Sequence, residues 1–503
     1  MTELLLGVDV GATGIKTGLF TPDGRLAALA GRRNGPVHQP DGAPNWLIWD
    51  ADDIWRKVCE CIRECLGKVG DPGQVRAIAC TGFGADGVPL SRDGHQLYPF
   101  ISWHCSRTLP QSQEVARRVG DARIFEITGY HNYPINTLNR LLWLRQNRPD
   151  VLDQAHRWLQ MQDYVAFCLS GEFSTECTIA STTMMLDMAR RDWSAEMLEA
   201  AGVNPSILPP ISEAGAPIGA VTSQAAEATG LQKGTPVVTG GHDCEIAVLG
   251  AGVNQRDIFI DITGTWEILV AAVDHFQPRP EQHECGLDYE CHALPKQWIC
   301  QSLMIAGGVL EWIREKFYSD VPDNDVYQKM FADAEVPSDG VYVLPSFVRG
   351  MGPAARYHSL GTVLGLTTAT SRGQVVRAAL EGLCFQLRQQ MDAVQTAVGT
   401  QATRLRVVGG GQKNPLWLQM KADMTGLPVE ITTNPEVTLL GVAILAGIGG
   451  RVYQDIGDAL ERIAFPTEVF EPNSQCHQAF TIPYQSVYRK IAPSLAEVYS
   501  ATH

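Results

Sequence analysis

Residues 4–20 read LLLGVDVGATGIKTGLF, and this stretch decides the fold. LLLGVDV is an almost continuous apolar run, the mark of a strand buried on both faces. Gly11-Ala12-Thr13-Gly14 then makes a turn, and residues 15–20 form a second expected strand. Thr21-Pro22-Asp23-Gly24 is a hairpin signal, so residues 25–30 read as a third strand. The chain therefore opens as an antiparallel meander with a glycine-rich first turn. The same pattern returns at residues 257–274, DIFIDITGTWEILVAAVD. Here Thr263-Gly264-Thr265 is the turn, and Asp261 follows Ile260 as Asp9 follows Val8.

Helices and strands alternate outward from these two openings. In the first half a helix is expected over 52–67, a buried strand over 75–83, an interrupted helical block over 109–167 and a short strand over 236–241. In the second half helices are expected over 305–318, 371–397 and 415–425, with a strand over 404–411. The expectation is an α/β protein of two similar halves, 1–248 and 249–503. Each is of about 250 residues, the upper range for one core. A cleft between the halves is the favoured place for a ligand.

Composition narrows the function classes. The 503 residues are 45% hydrophobic, too apolar for a disordered chain. Lys and Arg number 40 against 55 Asp and Glu, a net charge of −15, so there is no basic footprint for nucleic acid. MTELLLGVDVG has no basic region and carries an aspartate inside its apolar run, unlike a signal peptide. VTLLGVAILAGIGG, residues 437–450, falls short of the roughly 20 apolar residues of a membrane span. These features, with 13 cysteines, set the expectation of a cytoplasmic protein with reduced thiols and no membrane partner. His283, Cys285, Cys291 and His292 carry metal-ligating atoms, but their spacing departs from the close cysteine pairs of zinc sites. The alternation in HECGLDYECHAL favours a strand with small buried thiols.

Five places can carry chemistry. In the first turn, backbone N–H groups of Gly11, the Thr13 hydroxyl and the Lys16 ammonium suit phosphate, and Asp9 suits magnesium through water. Gly264 and Thr265 repeat that geometry, so two turns facing each other would clamp a triphosphate; a plain hairpin is the alternative for each. Gly409-Gly410-Gly411 lets a ligand approach the backbone, with Asn414 as helix cap and Pro415 as first helical residue. Asp243 follows a buried strand and Gly240-Gly241, where α/β proteins bind ligands; it could accept a hydroxyl proton, or simply cap a helix. Asp86, Trp103 and Arg107 could line a polar pocket as carboxylate, wall and donor.

Seven stretches occur together in one order over residues 7 to about 450. They are GVDVGATGIK, ISWHCSRT, LSGEFSTECTIASTTMMLDMARRDWS, GGHD, TGTWEIL, LGTVLGLTTATSRGQVVRAALEGL and VVGGGQKNPLWLQMKAD. In them the chain resembles the FGGY carbohydrate kinases, of the actin-like ATPase superfamily with two ribonuclease H-like domains. The resemblance implies ATP and Mg2+ in the cleft, with Asp243 as general base. It places Asp9 at the metal, Gly11, Thr13, Lys16, Gly264 and Thr265 at the phosphates, and Gly410, Gly411 and Asn414 beside the adenosine. Asp86, Trp103, Arg107 and Asp243 would surround the sugar, with residues 130–136 contributing. ISW-x-C-x-RT and GTWEIL are most similar to the L-fuculose kinases of the family, and GTW also to the L-rhamnulose kinases. Ala85-Asp86 and Cys105 depart from the xylulose kinases, which usually carry Met-His and aspartate there. Lys16 stands where an arginine is common, which keeps the charge and loses the bidentate fork. The expected reaction is phosphorylation of a ketose, L-fuculose or a close relative, at its primary C1 hydroxyl, and a homodimer is a common assembly for such enzymes. A sugar-responsive binding protein and an actin-like filament or chaperone ATPase are the competing readings.

Overall fold

The computed structural model describes residues 3–348, 352–434 and 436–501. The opening meander is present: β1 (Leu4–Val10), β2 (Gly14–Phe20) and β3 (Leu26–Arg33) pair antiparallel in sequence. β4 (Val75–Gly82) lies parallel beside β1, and β6 (Pro236–His242) parallel beside β4. β5 (Pro217–Ala220) closes the sheet antiparallel to β6, giving the order β5-β6-β4-β1-β2-β3. Helix α1 (Ala51–Val69) covers one face through Ile54, Val58, Cys61, Ile62 and Cys65, an apolar stripe of helical period. Asp50 caps it, accepting from the N–H groups of Asp52 and Asp53. Helix α2 (Asp243–Gly250) follows β6 without a loop.

The second half repeats the plan. β7 (Ile258–Thr263), β8 (Trp266–Val273), β9 (Leu287–Cys291), β10 (Trp298–Ile305), β11 (Arg404–Val408), β12 (Val429–Thr432) and β13 (Thr467–Phe470) form a sheet ordered β9-β10-β8-β7-β11-β12-β13. The core β10-β8-β7-β11-β12 matches β3-β2-β1-β4-β6: three antiparallel strands, then two parallel additions beside the first. Helices α3 (Gly307–Phe317), α4 (Arg372–Val398), α5 (Pro415–Thr425) and α6 (Val437–Gly449) are among the helices of this half.

Chain order and packing differ at one element. Helix α6 is apolar on nearly every face and buries itself against the first sheet, with Leu439, Val442 and Ala443 in one cluster with Leu5, Ala77 and Val238. This is a core helix, as an all-round apolar surface requires when no membrane receives it. No helix among the described residues is long and apolar enough to cross a membrane. Helices α2 and α6 touch through backbone: a Cβ on Gly250 would lie 1.9 Å from the Val437 carbonyl oxygen, and one on Gly441 2.0 Å from that of Ile246. The far end of α2 packs Val248 with Ile260, Val270 and Val408 of the second sheet. Helix α2 thus starts at the first sheet and ends on the second, and the expected junction after residue 248 falls inside it.

Candidate active site

The first turn closes as a hairpin. The Gly11 N–H donates to the Gly14 carbonyl at 3.0 Å, and Asn34 Nδ2 donates to the Gly11 carbonyl at 3.0 Å. Thr13 stays exposed at the tip. Asp9 stands opposite Lys16 in the β1–β2 pairing, and its Oδ1 is buried without a partner. Burial, then the negative charge of Asp243, pushes the Asp9 carboxyl up to about 8, with Lys16 opposing. The lysine is partly drawn off, because its Nζ pairs with Glu436 at 2.8 Å, just ahead of α6. An unpaired carboxylate oxygen facing a second carboxylate fits a hard divalent cation, which prefers oxygen ligands. Asp9 therefore suits magnesium on the chemistry of its surroundings.

The matching position in the second half has a different fate. Asp261 is wholly buried and accepts a hydrogen bond from Lys421 of α5. Lys421 Nζ also donates to Thr263 Oγ1 at 2.8 Å and to Glu267 Oε1 at 2.6 Å, and Thr263 donates on to Asp261 at 2.8 Å. Asp261 is thereby neutralised inside the core, while Asp9 is left for a ligand. Above this network the Gly264 turn meets two other glycine segments. Gly307 N–H donates to the Gly264 carbonyl at 3.0 Å, and Gly308 N–H to that of Thr265 at 3.1 Å. A Cβ on Gly411 would lie 2.6 Å from Thr263 Cγ2, and Gly409 holds φ at +90°, which only glycine adopts readily. The loop 409–411 therefore packs directly on the turn. Asn414 caps α5, accepting from Trp417 N–H at 3.2 Å, with Pro415 first in the helix.

Asp243 is the first residue of α2, and His242 takes the cap position without a side-chain capping bond. The Asp243 carboxylate is thus not spent on its helix; its side chain is 29% exposed, with His242 Nε2 3.4 Å away. The other ring nitrogen, Nδ1, lies 2.7 Å from Glu290 of β9. Burial disfavours the His242 imidazolium, but the adjacent Glu290 carboxylate overrides it and raises the ring well above the usual histidine range.

Asp86 follows β4 and is fully buried. Its Oδ2 accepts from Trp49 Nε1 at 2.5 Å and from the Trp103 backbone N–H at 2.9 Å, and its Oδ1 pairs with Arg140. Burial raises its carboxyl despite that arginine. Arg140 keeps Nε and Nη2 without partners. Trp103 stacks on His104 with 3.7 Å between ring centroids. A Cβ on Gly84 would lie 3.1 Å from His242 Nε2, so this loop adjoins the Asp243 turn. The expected Asp86–Trp103 grouping is therefore present. Arg107 is placed differently. Its guanidinium lies 4.1 Å over Trp46, donates to Gln39 at 2.7 Å and contacts Cys105 Sγ at 3.0 Å, with no bond to Asp86. A flat cation gains more from two indole faces than from an already paired carboxylate.

The side chains of residues 130–136 bond partners other than Asp86, though Asn136 stays next to its loop through Thr182, which accepts from the Ala85 N–H. Tyr130 donates to Glu290, Tyr133 to Asp288 at 3.0 Å, and the His131 N–H to Asp288 at 2.8 Å. Asn136 Nδ2 donates to the Thr182 carbonyl at 3.0 Å. His283, Cys285, Cys291 and His292 form no metal-binding group among the described residues. Cys291 packs with Cys177 and Met188, and His283 stacks on His131 at 4.1 Å. A cavity of about 560 Å³ beside Arg279, Gln282, Gln390 and Tyr484 contains none of the expected site residues. The site residues that sequence reasoning passed over are Arg140, Gly307, Gly308, Lys421 and Glu290. Only the Gly307-Gly308 pair carried a local signal, a glycine doublet opening a helix.

Residues 4–250 match the N-terminal domain of the FGGY family of carbohydrate kinases, and residues 262–450 its C-terminal domain. The chain belongs to that family. As an FGGY carbohydrate kinase it is a phosphotransferase acting on a sugar, of a family that uses ATP. It is 32% identical to "L-fuculokinase" of Escherichia coli (strain K12), over 94% of this chain and 98% of that protein. It is 28% identical to "Autoinducer-2 kinase" of Klebsiella pneumoniae, over 96% of this chain and 93% of that protein. In fold it is similar to the xylulose kinase from Rhodospirillum rubrum, with a TM-score of 0.86 at 24% identity over 99% of this chain and 100% of the other. The Plasmodium falciparum glycerol kinase with ADP shares the fold at a TM-score of 0.84 and 21% identity, over 97% and 98% of the two chains. The FGGY kinase thus has two domains of the actin-like ATPase type.

Proposed function

We propose that this kinase transfers the γ-phosphoryl group of ATP to the primary hydroxyl of a ketose, with L-fuculose as the leading substrate. One observation carries the reading: the Asp243 carboxylate, at the end of a buried strand, caps nothing and accepts no hydrogen bond among the described residues. In this reading Asp243 acts as general base. The sugar oxygen forms its bond to the γ-phosphorus, the bond to the β–γ bridging oxygen breaks, ADP leaves, and the hydroxyl proton passes to Asp243. Such a base contributes about 10²–10⁴-fold. A divalent cation beside Asp9 supplies neutralisation of phosphate charge. Thr13, Lys16 and Thr265 are assigned to the phosphates, and Gly410, Gly411 and Asn414 to the nucleoside; the N–H groups of Gly11 and Gly264, expected to face phosphate, are given instead to the carbonyls of Gly14 and Trp266, so these glycines shape the turns. Asp86, Trp103 and Arg140 are assigned to the sugar side, and Arg107 to holding the aromatic wall behind it.

The similarity to L-fuculokinase over 94% of the chain favours L-fuculose. The similarity to autoinducer-2 kinases over 96% supports a second reading, with autoinducer-2 as the acceptor. The test is coupled ADP release with MgATP against L-fuculose, L-rhamnulose, D-ribulose, D-xylulose, autoinducer-2 and glycerol. A kcat/KM for L-fuculose at least tenfold above every other acceptor supports the first reading. A preference for another acceptor overturns the substrate assignment, and no acceptor-dependent release with ATP binding intact overturns every acceptor in the panel and leaves an acceptor outside it or a sugar-responsive binding protein.

A further inference from the structure

His242 bridges the two halves of the molecule. It sits where β6 of the first sheet gives way to α2, with Nε2 3.4 Å from Asp243 Oδ1. Its Nδ1 is held at 2.7 Å by Glu290, which comes from β9 at the edge of the second sheet. Glu290 is completely buried, and its own orientation is fixed from two sides. Gln301 Nε2 donates to its Oε1 at 2.8 Å, and the Tyr130 hydroxyl donates to the same oxygen. The His242 backbone is also pinned, its N–H meeting Thr178 Oγ1 at 2.8 Å. A buried carboxylate so thoroughly satisfied is a fixed anchor, and a ring held at one nitrogen presents the other in one direction.

We infer that Glu290 is a positioning residue for the proposed base: reaching from the second half, it holds His242 against Asp243. The inference rests on Asp243 being the base. The arrangement has an electrostatic purpose. Asp9 and Asp243 repel each other, and Lys16 is tied to Glu436. The His242 ring, 3.4 Å from Asp243 Oδ1, is the partner that orients that carboxylate between phosphate and sugar. It also makes the base depend on the seating of β9 against the segment 129–133, through the Tyr130 and Tyr289 contacts. The other groups around the ring do not replace it. Asp243, Cys244 and Glu245 face it from its own helix, the Cys244 thiol as a hydrogen-bond partner, and Glu290 faces it from β9. Both Glu245 oxygens are buried without a partner, and burial raises that acid well above the usual carboxylate range.

The test compares the full-length enzyme with Glu290→Gln, His242→Asn, the double variant and Tyr130→Phe, using MgATP and its best acceptor from pH 6 to 8.5. Glu290→Gln is expected to lower kcat at pH 8 by about 10- to 100-fold, the cost of misplacing a reacting group by about an ångström. The KM for ATP stays within twofold. The sign of the pH effect follows from the lost carboxylate. Without Glu290 the ring loses its proton near neutrality, so kcat of Glu290→Gln falls as pH rises from 6 to 8, a limb absent from the wild type. His242→Asn shows no such limb, and adding Glu290→Gln to it costs less than twofold more. Tyr130→Phe keeps the charge and shows a smaller loss without the limb. A Glu290→Gln profile parallel to the wild type, or full additivity with His242→Asn, overturns the inference. Should Glu290→Gln fail to fold, the His242→Asn and Tyr130→Phe profiles decide, since near-normal kcat in His242→Asn also overturns it. Asp243→Asn serves as the control. If that variant turns over normally the base assignment itself fails; if it is inactive while the other results go against Glu290, only this inference falls.

Discussion

Replacing Lys421 with methionine probes why the two halves treat matching aspartates differently. Lys421 is 1% exposed and gives its three ammonium protons to Asp261, Thr263 and Glu267, the last at 2.6 Å. Methionine is a similar unbranched chain, so it fills the same space while giving up the ammonium that lies 4.6 Å over the Trp417 ring. Two buried carboxylates then face each other without a cation. Breaking a buried ion pair costs about 3–5 kcal/mol, and two acids on one lysine place this case near the upper end. At about 2 °C per kcal/mol for a domain of this size, the transition of the second half drops by roughly 10 °C. Calorimetry at pH 7.5 and 5.5 measures it. Burial, with Asp261 adding, already raises Glu267 to about 7. Lower pH supplies the proton that the acid needs once the lysine is gone, so the deficit shrinks at pH 5.5. The triple variant Lys421→Met, Asp261→Asn, Glu267→Gln regains most of the loss, because a neutral set leaves no buried charge. A single variant within about 1 kcal/mol of wild type at pH 7.5, or a deficit that ignores pH, refutes the reasoning.

Asp9→Asn is expected to melt above the wild type at pH 8 in chelator. Folding raises the Asp9 carboxyl from its ordinary 3.8 to about 8, so the folded state binds more protons between these values and loses stability as pH rises through them. The gap between variant and wild type therefore closes towards pH 4, and thermal scans across pH show whether it does. Lys16→Ala is expected to raise the KM for ATP more than that for the sugar, by steady-state kinetics with each substrate varied. Glu436→Gln, which frees the lysine from its 2.8 Å partner, is expected to shift the KM for ATP in the opposite direction.

Much of the fold was legible because its signals are local. The aspartate, glycine and hydroxyl pattern of 9–13 recurs at 261–265, and both copies form the first hairpin of their sheets. Asn414-Pro415 and Gly426 marked the ends of α5, which runs Pro415–Thr425 with Gly426 at φ +75°. The thiol-bearing alternation around residue 287 is the strand Leu287–Cys291. Where the reading stopped, the cause was long-range pairing. Helix α6 follows the second sheet in sequence and packs on the first, since an apolar helix goes wherever a face is open. Arg140 looked like any helical arginine, yet it answers the charge of Asp86, which lies 54 positions earlier. Glu290 and His242 are separated by 48 positions, and nothing near either one announces the other. Arg107 was expected to line the pocket beside Asp86, but its direction was not legible, because Trp46 and Trp143 reach it from distant segments.

The most direct measurement is the turnover of Asp243→Asn beside its affinity for ATP. With Asp243 as the base, kcat falls at least about a hundredfold while ATP binds within twofold of the wild type by calorimetry. Near-normal turnover would remove Asp243 from the mechanism and, with it, the account of this cleft as the site of phosphoryl transfer.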